Sequence, residues 1–150
     1  MNLVDANILL YAYNSRSEHH QACRDWLENA FAGPSPVALP WLSIWAFVRI
    51  GTNPRVFERP FRLEEAREVV DSWLDVKFVN VARPGERHWD ILSDVMKRAR
   101  VSGPLVTDAV LAALAIEHGA TICTTDRDFS RFDGVNVFDP TGRPSAAFDA

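Results

Sequence analysis

The sequence predicts an α/β domain, a three-layer arrangement with a mainly parallel central sheet of four to five strands and helices on both faces. Short apolar runs of strand character are interleaved with helical patterns along the whole chain. The connections are short and no internal repeat appears. Across 150 residues the hydrophobic fraction is 47% and the charged fraction 24%, ordinary values for one domain with a core of its own. The domain is expected over residues 1–139, with "PTGRPSAAFDA" (140–150) as a loose tail.

In chain order, "NLVD" reads as a short buried strand ending at Asp5, and "ANILLYAY" as the helix that follows. Glu18 to Ala32 has Ala22, Trp26 and Ala30 at helical spacing and stops at Gly33-Pro34. "VALP" is a second strand, and Leu42 to Gly51 an apolar helix that ends before Asn53-Pro54. Leu63 to Leu74 is amphipathic, with Glu64, Glu65, Arg67 and Glu68 on its wet face. Val76 to Val81, "VKFVNV", alternates as a strand does. Glu86 to Ala99 is expected to be a helix with Trp89, Leu92 and Met96 on its dry stripe. After the loop "VSGP", a helix entered at Asp108 ends at Gly119; the strands "TIC" and "VNVF" complete the set.

No apolar run approaches the ~20 residues of a membrane span. The opening "MNLVDANILLYA" lacks a basic start and carries Asp5 inside its apolar segment, so no secretory leader is expected. A soluble, cytoplasmic protein is the expectation. Cys23 and Cys123 share no ligand spacing and fit reduced core thiols, and the four histidines fit surface or helix-end positions. A net charge of −4 argues against a generic nucleic-acid coat, though not against an enzyme that grips nucleic acid locally.

The acids carry the chemistry. In parallel α/β sheets, ligands bind beyond the carboxyl ends of the strands. Asp5 and Asp126 each follow a strand, and Asp108 stands where a helix begins, so the three should converge on one edge, with Asp128 close by. Each has a bland alternative: Asp5 and Asp108 as helix caps, Asp126 as a turn residue. Together they are harder to dismiss. Two carboxylates ~5 Å apart at an effective dielectric of ~20 repel by about 3 kcal/mol, against a total stability of roughly 5–15 kcal/mol. A cation removes that penalty, and oxygen-only ligation suits Mg²⁺ or Mn²⁺ rather than zinc. A hard divalent ion among aspartates is apparatus for phosphodiester hydrolysis. No glycine-rich phosphate loop is present.

The blocks "LVDANILLYAY", "LVTDAVLAALAIEHGATICTTDRDF" and "RFDGVNVFDP" resemble the PIN-domain ribonucleases, in particular the VapC-type toxins of bacterial type II toxin–antitoxin pairs. "FVRIGTNPRVF" and the spacing between blocks extend the likeness over nearly the whole chain. The resemblance implies a PIN-like fold and Mg²⁺- or Mn²⁺-dependent cleavage of structured RNA such as tRNA or ribosomal RNA. It assigns catalysis to Asp5, Asp108 and Asp126, adds Asp128 as a less regular metal ligand, and matches Asn7 to a supporting polar position. Thr107 and Thr125 could hydrogen-bond within the metal shell. It also implies a small VapB-like antitoxin partner and a homodimer.

One position departs from the pattern. Where many relatives carry a glutamate, this chain has Ala46. Three explanations stand open: this branch does without the acid, another such as Glu18 reaches in, or the residue was altered to blunt toxicity. A binding domain that no longer cleaves is the second function class, and Ala46 is what favours it. A phosphatase or receiver-type domain is the third, disfavoured because Asn7 stands where a phosphatase wants a second acid, and because a receiver's paired acid and late lysine are missing. Arg49 and Arg55, with Arg59 and Arg62 after them, could hold backbone phosphates or be solvated charges. Trp41, Trp45, Phe47, Phe57 and Phe61 crowd the same region, some as core and others as candidates to line a groove for an apolar helix.

Overall fold

A computed structural model describes residues 1–142, so most of the expected tail, residues 143–150, lies outside the described residues. Five strands form a wholly parallel sheet: β1 (Asn2–Val4), β2 (Val37–Pro40), β3 (Val79–Ala82), β4 (Thr121–Cys123) and β5 (Asn136–Phe138), in the order β3-β2-β1-β4-β5. Helices α1 (Ala6–Ala12) and α2 (His20–Ala32) connect β1 to β2. Helices α3 (Trp41–Gly51) and α4 (Leu63–Leu74) lead to β3, and α5 (His88–Ala99) and α6 (Leu105–His118) lead to β4. A 3₁₀ turn, Arg127–Arg131, precedes β5. The predicted α/β class and the strand number hold.

Helices cover both faces of the sheet, so the inner strand β2, Val-Ala-Leu-Pro, is buried along its whole length, while the edge strands β3 and β5 carry exposed Asn80 and Asn136. Period-two geometry sends Leu3, Ala38 and Ile122 into one core with α5 and α6, and Val4, Val37 and Leu39 into the other with α1 to α4. The second core centres on Phe47 and Trp73, whose rings lie 4.6 Å apart at 64°, while the Trp73 indole N–H donates to the Tyr13 hydroxyl at 3.0 Å. On the opposite side, Glu117 near the end of α6 accepts from the Gly85 amide at 2.9 Å and meets His88 Nδ1 at 2.6 Å. That pins the loop before α5.

Several expectations need correction. The strand expected over Val76–Val81 is Val79–Ala82, because the chain is still turning at its start: the Val76 and Val79 amides bond back to the Trp73 and Val76 carbonyls. Trp89 does not lie on the dry stripe of α5. It is 67% exposed, and the helix instead buries Leu92 and Val95. In α2 the buried pair is Cys23 and Leu27, with Ala22, Trp26 and Ala30 half-buried beside it. Helices α2 and α5 start at His20 and His88, two residues later than expected in each case. Helix α6 starts at Leu105, so Asp108 is in its first turn but is not its cap; Pro104 holds that position. Both cysteines are free and buried as expected, and burial pushes the Cys123 thiol up to about 12.

Candidate active site

The strands β1 and β4 deliver the site, because their pairing ends at the residues that matter. Val4 is in register with Cys123, and the Asp5 amide donates to the Cys123 carbonyl at 3.0 Å. Asp5 is then the N-cap of α1, its Oδ1 accepting from the Ala6 amide at 2.7 Å. Its other oxygen accepts from the Thr124 hydroxyl at 2.7 Å. Asp126 caps the 3₁₀ turn by accepting from the Asp128 amide at 2.8 Å. The bland roles of Asp5 and Asp126 are therefore real. They also fix where each carboxylate points. Asp108 has no such role, since it caps nothing.

Asp108, Asp126 and Asp128 each offer a carboxylate oxygen within 4.8 Å of the others. Asp5 lies outside that tightest group but is felt within it. Burial is the main cause that raises the Asp5 carboxyl above its ordinary range; the bonds from Thr124 and Ala6 oppose this, and Asp126 adds to it. Asp108 is pushed up to about 6, first by burial, then by the charges of Asp126, Asp5 and Asp128, with Arg131 opposing. The predicted convergence of the acids is thus realised as an electrostatic unit. An all-oxygen donor set whose charges help to raise the Asp5 and Asp108 carboxyls suits a hard divalent cation.

The supporting residues are less as expected. Asn7 belongs: its Nδ2 donates to Thr124 Oγ1 at 3.1 Å, and its Oδ1 lies 3.4 Å from the Thr125 amide. Thr107 does not, for it is exposed and has no side-chain hydrogen bond among the described residues. Thr125 is buried and touches the site through that amide. The hub is its neighbour Thr124, which the sequence reading missed. Its hydroxyl donates to Asp5 and accepts from Asn7 and from the Asp126 amide at 3.0 Å, so one buried oxygen joins three of the predicted positions. Arg131 was missed as well; its Nε donates to the Asp128 carbonyl at 3.1 Å and its Nη2 lies 3.3 Å from Asp128 Oδ1.

Arg49 and Arg55 are exposed, at the end of α3 and in the loop after it, and neither is in an ion pair among the described residues. Ala46 is half-buried, one helical turn beyond Ser43, whose hydroxyl donates to the Val4 carbonyl at 2.7 Å. Residues three apart share a helix face, so Ala46 lies on the side of α3 turned toward β1, the strand that leads into Asp5. Glu18 is exposed and pairs with His19 at 3.4 Å.

The family model of the PIN domain matches residues 3–135. This chain belongs to the PIN-domain family. Within it the resemblance is to the VapC ribonucleases. Ribonuclease VapC37 of Mycobacterium tuberculosis is 43% identical over 93% of this chain and 97% of its own length. The fold is shared with VapBC2 from Rickettsia felis bound to a promoter DNA fragment, at a TM-score of 0.68 and 15% identity over 92% of this chain and 97% of that one. It is also shared with a toxin–antitoxin complex from Klebsiella pneumoniae, at a TM-score of 0.63 and 18% identity over 93% and 98% of the two chains. The PIN-domain expectation drawn from the "LVDANILLYAY" and "TDAVLAALAIEHGA" blocks is borne out.

Proposed function

We propose that the chain is a VapC-like endoribonuclease toxin, dependent on Mg²⁺ or Mn²⁺, that cleaves structured RNA such as tRNA or ribosomal RNA. The observation that carries the reading is the oxygen-only cluster of Asp108, Asp126 and Asp128 beside half-buried Asp5, at the carboxyl edge of the sheet in a family whose relatives are named ribonucleases. Asp5, Asp108, Asp126 and Asp128 would hold the cation. Bound there, it supplies positive charge to a phosphate oxygen and acidifies a water. The chain's own part is positional. The Thr124 hydroxyl aims Asp5 and opposes the upward push of burial on its carboxyl, Asn7 fixes the Thr124 hydroxyl, and the Asp126 cap keeps the 3₁₀ turn against the strand end. Arg49 and Arg55, exposed and in no ion pair among the described residues, are placed to meet more distant phosphates. Single-stranded loops of a folded RNA are the accessible targets, since their backbone can enter a site at a sheet edge.

A small VapB-like antitoxin and a second copy of the chain are the partners we propose. Supporting them, Trp45 on α3 and Trp89 on α5 are 63% and 67% exposed, large apolar surfaces left open to water. Among the described residues no helix is long and apolar enough to cross a membrane, and we propose a cytoplasmic site of action.

Incubating the purified chain with total tRNA and ribosomal RNA tests the reading. Discrete fragments are expected with Mn²⁺ or Mg²⁺ and none with chelator; fragments that persist in chelator would sink the metal-dependent mechanism. Ala46 favours the second reading, a PIN domain that binds RNA or protein and cleaves weakly or not at all. On the position given above, Ala46→Glu should tighten Mn²⁺ binding about tenfold, the scale on which a metal's surroundings act. Calorimetric titration of the variant with no change in affinity would mean that this face of α3 does not reach the cation.

A further inference from the structure

An acidic pocket must admit a polyanion, and one side chain already answers for that conflict. Among the described residues, Arg131 is the cation in direct contact with the cluster, bonded to both the carbonyl and the carboxylate of Asp128. Its opposing effect is felt as far as Asp108. The same side chain forms a wall of a shallow depression shared with Val95, Arg98, Ala99, Phe132 and Asp133. Arg98, at the far side, is paired only loosely: its nitrogens lie 3.4 Å from Asp94 and 3.9 Å from Asp133, and all three side chains are largely exposed. Long, solvated pairs of this kind hold little energy and exchange partners readily. A guanidinium has five donors, so both arginines keep most of theirs for a ligand.

We propose that Arg131, with Arg98 beyond it, seats a backbone phosphate of the RNA adjoining the scissile one, along the depression that leads away from the aspartates. The assignment rests on the nuclease reading above. Asp128 would turn its charge to a divalent cation held among the aspartates, which would leave the Arg131 guanidinium at the rim with its donors free for the RNA backbone. Arg98 continues the same positive edge on the neighbouring helix. RNA adjoining the scissile phosphate thus leaves the site over α5 and the 3₁₀ turn; among the described residues Arg49 and Arg55 make no contact with the acidic cluster, and they are left for more distant phosphates.

Steady-state cleavage of a labelled RNA stem-loop in Mn²⁺ by Arg131→Ala, Arg131→Lys and Arg98→Ala, beside the unaltered chain, tests this. Arg131→Ala should raise KM about tenfold, the size of one charge-assisted bond, with a smaller change in kcat. The slope of log(kcat/KM) against log salt should become shallower by about 1, as it does when a phosphate contact is removed. Arg131→Lys should keep most of the affinity, and Arg98→Ala should move KM in the same direction by less. Calorimetric Mn²⁺ affinity should not fall in any of the three, because the arginines touch the RNA and not the ion, and Arg131 only competes with the ion for Asp128. An unaltered KM and salt slope in Arg131→Ala overturns the proposal while the nuclease reading stands. A parallel loss of Mn²⁺ affinity overturns it too, by showing that Arg131 only positions Asp128. If the unaltered chain cleaves no RNA in any metal, the nuclease reading fails, and this proposal with it.

Discussion

Asp108→Asn should abolish metal-dependent cleavage and yet stabilise the metal-free protein at neutral pH. The two effects share one cause. Asp108 sits half-buried within reach of three other carboxylates, and its pKa is raised from 3.8 to about 6. Between those values the folded chain holds a proton that the unfolded chain has released. The stability this group contributes is therefore fully present below its unfolded value of 3.8 and is lost as pH rises through about 6. An asparagine carries no charge at any of these values. Discounted for solvent, the relief at pH 7 is about 1 kcal/mol, or ~2–4 °C in Tm. The metal-free variant should melt higher than the unaltered chain at pH 7, and the two should converge near pH 4.

Mn²⁺ should reverse the order at pH 7, raising the Tm of the unaltered chain and leaving the variant nearly unmoved. Cleavage should fall by well over the ~10–100-fold lost when a mere supporting group of a metal site is removed, since here a ligand goes. A variant that keeps its activity, or that melts lower than the unaltered chain without metal, would place Asp108 outside the cation site.

How far these features were legible differs from element to element, for physical reasons. Strands β1 and β4 are short apolar runs ended by a polar residue, and the acids beyond them could be counted from the sequence. The pattern places strand β3 too early because Val76 and Phe78 continue the alternation while the backbone is still in a turn closed by the Val79 amide on the Val76 carbonyl. Alternation records side-chain type, not backbone direction. Trp89 was misplaced by a similar ambiguity. Trp89, Leu92 and Met96 do lie near one another on a helix, but the buried stripe centres on Leu92 and Val95, and a helical residue advances about 100°. A small rotation leaves an indole at the edge of the stripe or outside it. Arg131 was missed because its pairing depends on a 3₁₀ turn. There, residues three apart eclipse, which sets Arg131 over Asp128. A short polar "RDFSR" gives no periodic signal for such a turn.

Thr124 shows the same limit at the site itself, and the second large effect is expected there. In "TTD" the two threonines are chemically alike, and successive side chains at a strand end face opposite ways. Only the structure tells that Thr124, 1% exposed, holds the hydroxyl that meets Asp5, Asn7 and the Asp126 amide. Thr124→Val keeps the shape and removes that oxygen. The Asn7 amide and the Asp126 N–H then lose an acceptor, and Asp5 loses a donor in a buried setting. Stranding buried polar groups in this way costs about 1–3 kcal/mol each where no water replaces the partner, so a loss of a few kcal/mol in chemical denaturation is expected.

The activity should change in a way that simple destabilisation does not produce. The Thr124 bond is the first influence holding the Asp5 carboxyl down against its burial. Without it that carboxyl rises further, and the acidic limb of the pH–rate profile should move to higher pH. Thr124→Ser restores the hydroxyl without the methyl, and should recover the profile of the unaltered chain even if part of the stability stays lost. A valine variant that is less stable but keeps an unshifted profile would make Thr124 a packing residue. A shift that serine corrects would make it the group that keeps Asp5 ready to take a cation.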